Sequence, residues 1–87
     1  MATFEILVEV TLRPGIADPQ GAIIERSLPL LGVTSVTGVR VGKAIRLVVD
    51  APDEDEARRL VEDLCARFLT NPVIEDASVS ILATTSS

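Results

Sequence analysis

Few side chains in this 87-residue chain can make or break a covalent bond. There is no histidine, and Cys65 is the one thiol. A cysteine nucleophile needs a base or cation beside it to become a thiolate. Cys65 instead falls in an apolar stripe at helical spacing and reads as a buried structural thiol. The run Asp53-Glu54-Asp55-Glu56 carries enough carboxylate for a divalent ion, but successive residues at a helix start point in different directions, and no Gly-centred calcium loop follows. Favourable charge at the positive end of a helix explains the run. Glu75-Asp76 could serve as an acid pair, yet neighbours on a strand face opposite sides of a sheet. Gly42-Lys43 could cradle a phosphate, but the other glycines and the Ser/Thr of a P-loop are missing, so it reads as a turn with a solvated lysine. Arg13, Arg40 and Lys43 either form a basic spot on an acidic chain or are scattered surface charge.

The segment 12–21, Leu-Arg-Pro-Gly-Ile-Ala-Asp-Pro-Gln-Gly, sets much local geometry and holds no reactive group. It ends a strand, turns at Pro14-Gly15 and opens a helix with Asp18 as cap and Pro19 as first helical residue. Such a corner positions something. Residues 4–12 alternate, with Phe4, Ile6, Val8, Val10 and Leu12 on one face, which predicts a half-buried strand. A first helix follows over 19–31 with Ile23, Ile24, Leu28 and Leu31 on one side and Gly32 as its left-handed end. Pro29 removes a backbone bond to Glu25, a cost of about 3 kcal/mol in a regular helix, and predicts a kink or a loosened last turn.

Strands are expected over 35–41 and 45–51. Gly42-Lys43 resembles a two-residue hairpin turn, but parity favours a bulge or a three-residue loop that keeps Val39, Val41, Ile45, Leu47 and Val49 on one face. Asp53 and Glu56 then open a second helix. Its stripe is Ala57, Leu60, Val61, Leu64, Cys65, Phe68 and Leu69. Its outer face pairs Glu54 with Arg58, Asp55 with Arg59 and Asp63 with Arg67, each worth about 0.2–0.5 kcal/mol. Asn71-Pro72 stops it. A last strand over 74–82 places Ala77, Val79 and Ile81 together, and residues 83–87 read as a disordered tail on a single domain, 1–82.

The order strand, helix, strand, strand, helix, strand is the split βαβ pattern of ferredoxin-like α+β folds, an antiparallel sheet with both helices on one face. The open face would show Leu7, Val36 and Val48 among Glu5, Glu9, Arg40 and Arg46, a natural surface for self-association through the sheet face or edge.

Composition excludes several classes. The formal net charge of −5 and two phenylalanines disfavour a nucleic-acid binder, which needs a basic face or stacking rings. No apolar run approaches the roughly 20 residues that span a bilayer. One cysteine and no recognisable signal peptide point to the cytoplasm. Apolar residues make up 47% of the chain, more than one small core hides, so burial against a partner is expected.

The motifs together resemble the PurS family, small subunits of multi-subunit phosphoribosylformylglycinamidine synthase. The matching stretches are 12–21, the Leu31-Gly32 helix end, Val39-Arg40-Val41-Gly42-Lys43, and residues 69–76, Leu-Thr-Asn-Pro-Val-Ile-Glu-Asp, in the family's order across nearly the whole chain. The resemblance implies a non-catalytic homodimer or tetramer that joins a large synthetase subunit, PurL, to a glutaminase subunit, PurQ, and supports ammonia transfer between them. It implies no cofactor on this chain; ATP and magnesium are used by the synthetase. Carried onto this sequence, the family motifs make Arg13, Gln20, Arg40, Lys43 and Asn71 the polar candidates for partner contact. Two departures stand out: Pro29 replaces a helix former, and Ala77 stands where an aromatic residue often follows the acidic pair.

The same topology admits two other readings. An ACT-like sensor would bind an amino acid where the first strand meets the first helix, near Gly15. An acylphosphatase-like enzyme would need an arginine on the same turn and a catalytic asparagine; Arg13 and Asn71 echo these, but Pro14-Gly15 supplies no phosphate nest.

Overall fold

A computed structural model describes residues 1–86. The elements are β1 (Ala2–Leu12), α1 (Pro19–Ser27) continued by a 3-10 turn over Leu28–Leu31, β2 (Lys43–Ala51), α2 (Glu54–Leu64) continued by a π-helical turn over Cys65–Leu69, and β3 (Glu75–Ser86). The sheet order is β2-β1-β3, antiparallel throughout. It is an α+β fold of the ferredoxin-like kind, built on three strands rather than the four expected from the sequence.

β1 takes the centre because its alternation is the cleanest in the chain. Phe4, Ile6, Val8 and Val10 are all buried. Val49, Leu47 and Ile45 of β2 stand opposite Phe4, Ile6 and Val8, and Ile81, Val79 and Ala77 of β3 stand opposite Ile6, Val8 and Val10. The expected common face of Ala77, Val79 and Ile81 is therefore formed. Ala57 and Val61 of α2, with Cys65 at the start of the π-helical turn, close the core over this face. The Asp53 carboxylate accepts from the Glu56 N–H at 2.8 Å and caps α2 as its sequence predicts.

The stripe of α2 is shorter than expected. Phe68 is 81% exposed, because the π-helical turn turns it away from the line that Val61 and Cys65 follow. The Thr70 hydroxyl and N–H both donate to the Cys65 carbonyl, at 2.7 and 3.1 Å, and end the turn. On the outer face Glu54–Arg58 and Asp63–Arg67 form at 3.8 and 3.4 Å. Arg59 pairs with Glu56 at 3.0 Å rather than with Asp55.

Pro29 acts as expected. The α-helical stretch of α1 ends at Ser27, the proline sits in the 3-10 turn, and Gly32 takes a left-handed φ of 81° with its N–H directed at the Leu28 and Pro29 carbonyls.

Three expectations about the sheet are corrected. The predicted strand over 35–41, with its bulged hairpin at Gly42-Lys43, does not form. The Val39 N–H donates to the Glu25 carboxylate at 3.1 Å and the Val41 N–H to Asp18 at 2.8 Å, so carboxylates of the α1 region take the bonds a neighbouring strand would have received. Val36 and Arg40 consequently lie off the sheet, and the open face carries Leu7 and an exposed Val48 without Val36. Finally, β3 does not stop at 82. Residues 83–86 pair with residues 5–2 of β1, because a bulge at Leu82 resets the register and the start of β1 offers backbone groups that need partners. The remaining residue of the expected tail, Ser87, lies outside the described residues.

The two helices are mounted differently. The radius of gyration is 16.9 Å with extents of 52 × 27 × 14 Å, against about 12 Å for a compact chain of this length. α1 buries only Gly21 and leaves Ile23 and Ile24 about half exposed, so the expected apolar side of the first helix is not part of the core.

Candidate functional site

The end of β1, the start of α1 and the start of β2 meet at one corner. Leu12 leads into a turn in which Gly15 holds a φ of 86°, a conformation that favours glycine. The chain then enters α1 through Asp18 and Pro19. Asp18 caps the helix, accepting the Gly21 N–H on Oδ1 at 2.9 Å. Its Oδ2 accepts the Val41 N–H at 2.8 Å and lies 3.8 Å from Arg40 Nε. The Gly21 N–H, then the Val41 N–H, hold this carboxyl below its ordinary ionisation range; burial opposes them and the Arg40 charge adds to them.

Two glycines permit the close approach. A Cβ at Gly21 would come within 2.4 Å of the Val39 carbonyl oxygen, and one at Gly42 within 2.7 Å of the Val10 oxygen. Cavities of about 240, 390 and 300 Å³ open around this corner. The first lies between Val10, Leu12, Asp18, Gln20, Lys43 and Glu75.

Four of the five sequence-predicted contact residues converge here. Arg13 bonds the Ile74 carbonyl through its backbone and reaches Asp76 at 3.3 Å. Gln20 and Lys43 line the first cavity with exposed side chains. Arg40 directs Nη2 at the Leu12 and Arg13 carbonyls, each at 3.5 Å. Asn71 stands apart, on the turn into β3: its Oδ1 accepts the Val73 N–H at 3.1 Å and its N–H donates to Glu75 Oε1 at 2.7 Å. It joins the corner only through Glu75, which lines the first cavity.

The sequence reading missed Glu25 and saw Asp18 as a cap alone. The available signal is their separation of seven residues, two helical turns, which aligns both acids along one side of the helix. A segment beside that side with free N–H groups at alternate residues then meets both.

The groups weighed for bond chemistry are occupied otherwise. Cys65 is buried, and burial foremost, with Glu62 beside it, raises its thiol. Glu75 serves the Asn71 turn and Asp76 the Arg13 pair. Among the described residues no helix is long and apolar enough to cross a membrane.

Residues 5–83 match the family model PurS, phosphoribosylformylglycinamidine (FGAM) synthase. The chain is 38% identical over 81 residues to the phosphoribosylformylglycinamidine synthase subunit PurS of Synechocystis, covering 93% of this chain and 81% of that protein. It is 40% identical over 78 residues to the PurS subunit of Methanothermobacter thermautotrophicus, covering 90% and 92%. Among solved structures it resembles a chain of the PurLQS structure from Thermotoga maritima at a TM-score of 0.87 and 35% identity, covering 94% of this chain and all of that one. On a match over most of its length, in sequence and in fold, the chain belongs to the PurS family.

Proposed function

We propose that this chain is the non-catalytic bridging subunit of phosphoribosylformylglycinamidine synthase, joining the glutaminase PurQ to the synthetase PurL so that ammonia passes between them. The observation that carries this reading is the likeness, over 94% of this chain, to a chain of the PurLQS structure. The residues agree with it: the corner holds cations, an amide and carboxylates already bonded to backbone, and no histidine exists anywhere in the chain to activate a nucleophile. Nucleotide and magnesium belong to the synthetase subunit in this reading. Arg13, Gln20, Arg40 and Lys43 make the partner-facing set, with Asn71 supporting Arg13 through the β3 turn. The sensor alternative is not favoured by the family match.

Self-association is part of the proposal. The lone chain exposes 6007 Å², where about 5,000 Å² is usual for its mass. The excess is close to the roughly 800 Å² that each partner of a standard interface buries. Leu7 and Val48 on the open sheet face, and Ile23, Leu30 and Leu31 beyond it, supply apolar surface for a second copy.

The test is reconstitution from purified subunits. The chain is expected to co-elute with glutaminase and synthetase as one complex. Glutamine-dependent conversion of formylglycinamide ribonucleotide should require it, while free ammonia still supports the synthetase. A glutaminase and synthetase that couple equally well without this chain would overturn the reading.

A further inference from the structure

We infer that Asp18 is a positioning residue: its carboxylate fixes segment 39–42 against α1 and thereby sets where Arg40 and Lys43 stand at the corner. The inference rests on the docking role proposed above for that corner.

Apolar packing cannot hold α1 in place, since Gly21 is its only buried residue. Polar contacts do the holding, and most converge on one side chain. Asp18 takes the Gly21 N–H on one oxygen and the Val41 N–H on the other, and its side chain is only 9% exposed, so water is a poor substitute. Glu25 repeats the contact two helical turns later by taking the Val39 N–H. Between these two anchored residues stands Arg40, whose guanidinium reaches back to the Leu12 and Arg13 carbonyls. Lys43 follows Val41 by two residues and begins β2. The Gly21–Val39 approach leaves no slack between helix and segment. Two carboxylates thus stand in for a missing strand, and the two cations ride on what they hold.

Asn at position 18 separates capping from clamping. Its single side-chain oxygen can still cap α1, but its NH₂ then faces the Val41 N–H, donor against donor. The experiment is Asp18→Asn, with Asp18→Ser as a second variant, read by amide hydrogen exchange in the free chain and by affinity for the glutaminase and synthetase subunits. The expected result is exchange at Val41 faster by about tenfold or more, the size of a lost bond to a charged group, with Ile6 and Val8 still protected. Affinity for the partners should fall about tenfold in the same variants. Unchanged exchange at Val41 overturns the clamp. Faster exchange at Val41 with unchanged affinity overturns the positioning role. Loss of protection at Ile6 and Val8 also overturns it, since Asp18 would then act on global stability. If the unaltered chain binds neither subunit, the docking reading fails, and exchange at Val41 still decides whether the clamp exists.

Discussion

α1 and α2 are both capped by aspartate, yet they are held in the fold by opposite means. In α2 Asp53 serves the helix alone, and Ala57 and Val61, with Cys65 of the turn that continues it, bury against the strands. In α1 Asp18 serves the helix and a neighbouring segment, and the apolar residues Ile23 and Ile24 face outward. A helix held by apolar burial contributes to stability and tolerates no foreign surface on its inner face. A helix held by a few directed bonds has a defined placement while its apolar side stays available. The first arrangement suits a scaffold and the second a docking surface.

The contrast can be broken most directly by the same kind of truncation on each helix. Val61→Ala removes two buried carbon groups and should cost about 2 kcal/mol in chemical denaturation. Ile24→Ala should stay within about 0.5 kcal/mol in dilute solution, the range of surface changes. Equal losses would mean that the outer side of α1 is covered in solution.

Gly21→Ala sharpens the comparison further. An alanine inside a helix ordinarily gains up to about 1 kcal/mol over glycine. Here the added Cβ meets the Val39 carbonyl at 2.4 Å and Asp18 Oδ2 at 2.9 Å. The variant should therefore be destabilised, by about 1 kcal/mol or more as in other overpacked sites. A stabilised variant would show that helix and segment do not touch.

The smallest expected effect is on pH dependence. The Asp18 carboxyl is depressed in the folded chain, so its contribution is fully present above the ordinary value of 3.8 and is lost as the pH falls through the folded-state value below it. Protection of Val41 should hold through the ordinary carboxylate range and decline only beneath it. Decline well above that range would point to a different acid as the clamp.

Local chemistry made much of this fold readable. The alternation of β1, the Asp53 cap, the proline-loosened end of α1 and the face shared by Ala77, Val79 and Ile81 all follow from residue type and spacing over short distances. The two strand errors share one cause. Val36, Val39 and Val41 have a strand's alternation, but alternation says only that a segment suits an edge, not which edge it meets. Their segment lies beside α1, whose carboxylates bond its N–H groups. The small residues of 83–86 carry no core pattern, yet the edge of β1 that faces away from β2 draws them into the sheet. Phe68 fits the helical stripe until the π-helical turn displaces it. At the corner Arg13, Gln20, Arg40 and Lys43 are legible as parts of motifs, whereas Glu25 is not, because its bonding partner Val39 lies fourteen residues away in a segment with a strand's alternation.

The opening and closing residues of the helices, the central strand and the lack of an activated nucleophile are properties of this sequence alone, since each depends on side chains a few positions apart. That Arg13, Gln20, Arg40 and Lys43 share one corner was decided only in three dimensions. Their meeting requires Gly21 and Gly42 to bring backbones close, and Asp18 to accept bonds from both sides of a 23-residue separation. Contacts at that range are set by which polar groups the sheet leaves unpaired, and no local pattern encodes that.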